Sequence, residues 1–356
     1  MNRVKWVNVV FLSTVLVSSV GGTLVGLLLQ HIGENYFINL LVSQFILIIP
    51  TLIYIIYYRI DIREAIRFRK IKMSNIFYLI IFAYLITPLM SLLSAISMLF
   101  STNFITGEIG NIVNNSPLIL SVFLVAFIPC VLEESVYRGI FYNEYRKINT
   151  RKAIVLSGLL FGLLHMNFNQ FIYAFAMGMI FALLIEATDS IISSMIVHFV
   201  INATSVVQSY VTPKLIKVAT EKGQSGLDTN HLSTGNYTRD DLLSAISVYA
   251  VISVVTTILA FMLYKQIAKK NGRLEHVNHI LDFRNKTVTN SNSFNSDEYY
   301  FDKETYTYKK HTELQIIEQE CNIQDNKQKL LSIPLTIGMA MCIILMIYRE
   351  VIVRIS

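Results

Sequence analysis

The sequence predicts an all-α fold, a polytopic membrane protein of about eight to nine transmembrane helices with a polar C-terminal segment. Three observations carry this. Of 356 residues, 53% are hydrophobic and only 15% are charged, too few charges to cover a soluble domain of this length. The apolar residues fall into runs that approach or exceed the roughly 20 residues a helix needs to cross hydrocarbon. The basic residues alternate from one connecting loop to the next, the pattern of a positive-inside protein. The net charge of +6 is spread over those loops rather than gathered on one soluble face. The lipid bilayer is therefore the expected partner, and nucleic acid is not.

Taken in order, the apolar runs lie near 6–30, 36–58, 76–100, 117–134, 153–166, 170–187, 190–211, 242–264 and 332–348. The fifth and last are the shortest. Arg3 and Lys5 precede a first run too long for a signal-peptide core, which reads as a retained span with a cytoplasmic amino terminus. Arg59, Arg63, Arg67, Arg69, Lys70 and Lys72 crowd one loop, and Arg138, Arg146, Lys147, Arg151 and Lys152 another. Lys265, Lys269, Lys270 and Arg273 follow the eighth run. The loops at 31–35, 101–116 and 166–169 have no lysine or arginine. Arg349 and Arg354, beyond 332–348, break this alternation. The chain divides into a two-span region at 1–75, a membrane core at 76–264, a polar and loosely ordered cytoplasmic segment at 265–331, and a final helix at 332–348. Gly22-x-x-x-Gly26 suits close helix packing within the chain. Three scattered cysteines with no C-x-x-C pair support neither a disulfide framework nor a cysteine zinc site.

Polar clusters interrupt the membrane core. Ionisable side chains within spans cost several kcal/mol, about 2.5–3.5 each on insertion scales, and so point to function. The first cluster is Glu133-Glu134-Ser-Val-Tyr137-Arg138, with Pro129 one turn earlier to loosen the helix. On a helix Glu134 faces Arg138 and Glu133 faces Tyr137. Arg138 would then hold Glu134, leaving Glu133 towards a cavity where a proton can be taken and returned. The bland alternative is an interfacial ion pair that ends a span. Phe161-x-x-x-His165 sets a ring beneath an imidazole, and His198-x-x-x-Asn202 sets an imidazole and a carboxamide on one face of an apolar run. Those groups need partners in lipid, and the nearest are each other and the first two clusters. Asp189 reads as a cap for the following helix. His31, His231, His276, His279 and His311 read as solvated loop or tail residues.

The combination E-E-x-x-x-R, F-x-x-x-H and H-x-x-x-N, over about 117–210, resembles the intramembrane proteases of the CPBP, or Abi, family. That family includes the type II CAAX prenyl endopeptidases and bacteriocin-processing or immunity proteins. Gly139 and Gly162 also look like family usage, whereas Thr188-Asp189-Ser190 stands where Thr-Gly-Ser is frequent. The resemblance implies that Glu133 activates water, supported by Glu134 and Arg138. It further implies that His165 positions the water or binds a metal, and that His198 and Asn202 stabilise an oxyanion. Zinc held by His165, His198 and Glu133 and a metal-free, glutamate-driven mechanism both remain open; there is no H-E-x-x-H. The implied substrate is a peptide or protein at the membrane, either a prenylated protein or a secreted-peptide precursor. A non-enzymatic peptide-binding, immunity or scaffold protein is the alternative; a transporter would need matching repeats, and none is seen. One tension stands. His165 lies about 20 Å along a helix from the basic loop, whereas Glu133 at the end of 117–134 lies near the cytoplasmic face.

Overall fold

A computed structural model describes residues 3–30, 36–103, 105–221, 237–282, 299–302, 307–310 and 329–355. Apart from one two-stranded hairpin, the described residues are helical. The helices are α1 (Arg3–Gln30), α2 (Tyr36–Tyr57), α3 (Ile62–Ile66), α4 (Met73–Met98), α5 (Ile105–Asn114) and α6 (Leu118–Tyr145). They continue with α7 (Thr150–Leu164), α8 (Phe168–Thr188), α9 (Ile191–Glu221), α10 (Arg239–Lys270), α11 (Leu274–Leu281) and α12 (Ile333–Ile355). The hairpin pairs β1 (Tyr299–Asp302) with β2 (Thr307–Lys310), antiparallel.

Eight of these helices, α1, α2, α4, α6, α8, α9, α10 and α12, are long and apolar enough to cross a membrane. Their outward faces keep large apolar side chains such as Ile56, Phe77, Ile119 and Val251 exposed, as lipid contact requires. The expected span at 153–166 is instead α7, whose 15 residues fall short of a crossing. Asn149 starts it by accepting from the Lys152 amide at 2.9 Å. It ends at Leu164, and Met166 two residues on turns the chain with a left-handed φ of 48°. Asn167 then accepts from the amides of Asn169 and Gln170 at 2.8 and 3.2 Å and opens α8. The result is a tight antiparallel α7–α8 hairpin inside the bundle.

That hairpin depends on glycine. Added Cβ atoms at Gly158 and Gly162 would lie 2.8 and 2.9 Å from the backbone oxygens of Phe175 and Phe171. At Gly178 one would lie 2.6 Å from the Gly158 Cα. Gly22 and Gly26 have nothing within 4 Å, so the close approach expected there occurs at Gly158-x-x-x-Gly162 instead.

The fourth span corrects the depth estimate. Helix continues past Glu134 to Tyr145, giving 28 residues rather than the apolar run 117–134. The apolar run stops early because the second half carries Arg138, whose charge is buried and paired rather than displayed in a loop. Glu133 thus lies about 18 Å from the end of α6, much as His165 lies about 22 Å from the start of α7. The two reach a similar depth.

At the end of the bundle formed by the start of α1 and the end of α6, polar groups tie the elements together. Asn8 accepts from the Tyr145 hydroxyl at 2.7 Å and donates to the Leu330 carbonyl and the Ser332 hydroxyl, each at 2.8 Å. Residues 265–282 are ordered here rather than loose: α10 runs to Lys270, and α11 buries His276, Val277 and Ile280. Its amphipathic turn finds an apolar seat that the polar average of 265–331 conceals. His31, His231 and His311 lie outside the described residues. At the opposite end, Arg354 bonds to Glu350 at 3.2 Å and to the Phe100 carbonyl at 2.5 Å. Glu350 also accepts from the Thr102 amide at 3.2 Å. Arg354, one of the basic residues that broke the alternation, is therefore partnered.

Candidate active site

The site grows from an irregularity in α6. Phe123–Phe127 and Ser135–Tyr142 are wound as π-helix, on either side of Pro129. Proline has no amide to offer the Val125 carbonyl one turn back. Asn202 on α9 reaches across and donates Nδ2 to that carbonyl at 3.4 Å. Wide turns of this kind recur at functional sites because they redirect side chains without breaking the helix.

Glu134 is fully buried and receives two helices' worth of partners. Arg138 Nη1 donates to its Oε1 at 3.0 Å, and His198 Nδ1 lies 3.2 Å from the same oxygen. The Arg138 guanidinium lies over the rings of Phe161 (4.3 Å) and Phe181 (5.0 Å), where a lysine could not spread its charge. His198 stacks on Phe181 at 5.2 Å and meets the edge of Phe161 at 5.9 Å. Phe161 also meets His165 edge-on at 4.9 Å and Tyr137 at 5.0 Å. One aromatic ring thus separates, and touches, both histidines.

Glu133, half-buried, stands beside this locked pair. Its Oε1 accepts from Gln44 Nε2 of α2 at 3.3 Å. It lies within electrostatic reach of His165, Tyr137, Arg138 and Tyr173. His165 Nδ1 lies 2.7 Å from the Phe161 carbonyl, an acceptor only. The proton therefore sits on Nδ1, and Nε2 presents a lone pair. All six residues singled out from sequence lie on α6, α9 and the end of α7. Glu134, Arg138 and His198 are in direct contact; Glu133 and His165 flank them; Asn202 sits one helical turn further along α9. Gln44 and Tyr173 were not singled out. Gln44 left a readable signal, a carboxamide within the apolar run of α2.

The donor set does not fit zinc. Among the described residues no group of three or more His, Cys, Asp or Glu side chains could hold a metal ion. No step below passes through a metal.

A second buried cluster lies at the end of α8. Glu186 accepts from the Tyr142 hydroxyl at 2.5 Å, from Arg146 at 2.8 Å and from His276 Nε2 at 2.5 Å. Arg273 donates Nε to the Glu186 backbone carbonyl at 2.6 Å. His276 is thus packed rather than solvated, and burial holds its pKa below the usual histidine value, with Arg273 and Arg146 adding to the effect and Glu186 opposing it. The carbonyl of His279 accepts from Arg151 at 2.6 Å. Asp189, left-handed at φ 58°, ends α8 and pairs with Arg67 and Arg69. It does not cap α9; the Ser190 hydroxyl does, accepting from the Ile192 amide at 3.3 Å.

Comparison with known proteins converges on the same stretch. Residues 115–204 match the family described as type II CAAX prenyl endopeptidase Rce1-like. This part of the chain, which holds every candidate residue but Gln44, is similar to that family. A particular relative is the membrane-embedded CAAX protease MroQ of Staphylococcus aureus (strain USA300), 31% identical over 108 residues. The alignment covers 28% of this chain and 44% of that protein, so the chain spans less than half of the relative's length. No solved structure matches.

Proposed function

We propose that the chain is an intramembrane endopeptidase in which Glu133 activates water against a peptide bond. The observation that carries this reading is the division between the two glutamates. Glu134 is committed to Arg138 and His198, while Glu133 stays half-buried beside His165 with one weak partner. A carboxylate so placed can take a proton and return it.

The roles follow from donors and acceptors. The attacking water gives up one proton to Glu133 and hydrogen-bonds to His165 Nε2 through the hydrogen it keeps. The new C–O bond forms at the carbonyl carbon as the π electrons move to oxygen. Asn202 carries two amide hydrogens, one on Val125 O and one for that oxyanion. His198 presents Nε2 as a second donor when it is an imidazolium, its Nδ1–H held by Glu134. Collapse of the intermediate expels the amine, which takes the proton held by Glu133. Glu134 and Arg138 fix His198 and Phe161 throughout. The substrate is a peptide or protein at the membrane, and the amino terminus faces the cytoplasm.

The test is cleavage of a peptide library, half carrying prenylated C-a-a-X ends and half secreted-peptide precursors, by purified protein in nanodiscs. Wild type should release product, and Glu133→Gln and His165→Ala should not. Equal product from all three would overturn the catalytic reading and favour a peptide-binding protein. Loss of product on chelation would overturn the metal-free mechanism.

A further inference from the structure

Gln44 lies outside the stretch that carries the family resemblance, on a helix otherwise built for lipid. Its neighbours Leu40, Leu41, Val42, Phe45, Ile46, Leu47 and Ile48 are apolar. A carboxamide there is costly unless both of its edges are used. One edge is: Nε2 donates to Glu133 at 3.3 Å. The other is not, because Oε1 is buried and has no hydrogen-bond partner. Such an acceptor costs about 1–3 kcal/mol while unmet, and it lies beside the residue proposed to activate water.

We propose that Gln44 is a positioning residue of the active site that aims Glu133 through Nε2 and accepts a backbone N–H of the bound peptide through Oε1. The inference rests on the peptidase reading. A peptide entering between α2 and α6 brings amide hydrogens flanking the scissile bond and needs acceptors, since lipid offers none. His165 Nε2 and Glu133 are occupied by the water, and Asn202 and His198 face the oxyanion. Gln44 supplies the missing acceptor and ties substrate binding to the aim of the base. Removing this anchor should be felt as misplacement of Glu133 rather than as unfolding.

Two variants separate the edges. Gln44→Leu loses both, and kcat/KM on a library peptide cleaved by wild type should fall about 100-fold, as two hydrogen bonds imply. Gln44→Glu keeps an acceptor but sets a like charge against Glu133. It should hold KM within about twofold and lower kcat at least about tenfold. Gln44→Leu with wild-type kcat/KM, while Glu133→Gln is inactive, would overturn this inference and leave the peptidase reading intact. A second measurement needs no substrate. The carboxylate stretch of Glu133 is isolated in nanodiscs as the infrared difference between ¹³C-glutamate-labelled protein and its Glu133→Gln variant. The band should move in Gln44→Leu as the N–H is withdrawn. An unmoved band would overturn the inference; a moved band with no cleavage of any peptide by wild type would uphold the contact and sink the peptidase reading instead.

Discussion

Gly178→Ala should cripple the site without replacing any of its polar residues. The new methyl carbon would sit 2.6 Å from the Gly158 Cα, 3.1 Å from Arg138 Nη2 and 3.3 Å from the Gly158 carbonyl oxygen. Carbon atoms in contact ordinarily lie about 3.5–4.0 Å apart, so α7 and α8 must separate by about 1 Å. Two of these three atoms, the nearest included, are backbone and cannot rotate away. Overpacking of this kind costs about 1–3 kcal/mol. The larger effect is positional. α7 carries Phe161 and ends at His165, so its displacement moves the ring under Arg138 and the imidazole beside Glu133, and a shift near 1 Å costs roughly 100-fold in rate. Gly22→Ala is the internal control, because its methyl group meets nothing within 4 Å. It should be neutral or stabilise slightly, by up to about 1 kcal/mol, through helix propensity. Thermal unfolding in nanodiscs and initial cleavage rates read both quantities. Gly178→Ala with the stability and rate of wild type would refute the close-crossing argument.

Other outcomes follow from the same geometry. Glu134→Gln should destabilise by about 3–5 kcal/mol by stranding Arg138, and adding Arg138→Met should recover part of that; a double-mutant cycle with additive losses would contradict the pairing. Asn202→Leu should cost about 1–3 kcal/mol of stability through the Val125 carbonyl and about 10²–10³ in kcat through the oxyanion. Loss of stability with unchanged kcat would reduce Asn202 to a helix tie. His276 has a folded-state pKa below its unfolded value of about 6.5, so the unfolded chain binds its proton first. Its contribution is complete above that value and drains away as pH falls through the folded-state pKa. Between about pH 8 and about pH 5 the unfolding temperature of His276→Gln should therefore fall less than that of wild type, and parallel curves would refute the assignment.

Much of this was legible in the sequence because lipid is an exacting solvent. Long apolar runs had to be helices, and Glu133, Glu134, His165, His198 and Asn202 stood out against them. What was hidden came from pairing. Arg138 and Arg146 looked like loop charges because nothing in the chain announces that Glu134 and Glu186 neutralise them. Cutting the fourth span at Glu134 then misplaced Glu133 in depth. Glu186 itself, a lone carboxylate in an apolar run, satisfied the same rule that singled out Glu133, and its cluster could have been sought. His276 could not: its burial depends on α11 folding back against residues distant in sequence. Gln44 is intermediate, visible as an oddity on α2 but silent about its partner.

The Glu186 cluster also bears on how the protein is made. A chain emerges amino terminus first, so Arg146 and Tyr142 are already in place when Glu186 enters the bilayer, and Arg67 and Arg69 precede Asp189. His276 follows Glu186 by 90 residues, an interval of roughly 5–18 s at about 5–20 residues per second. Through that interval each carboxylate at the end of α8 already has an arginine upstream to meet it. Translation order thus spares the bilayer a bare buried charge, and α11 completes a cluster that could insert without it.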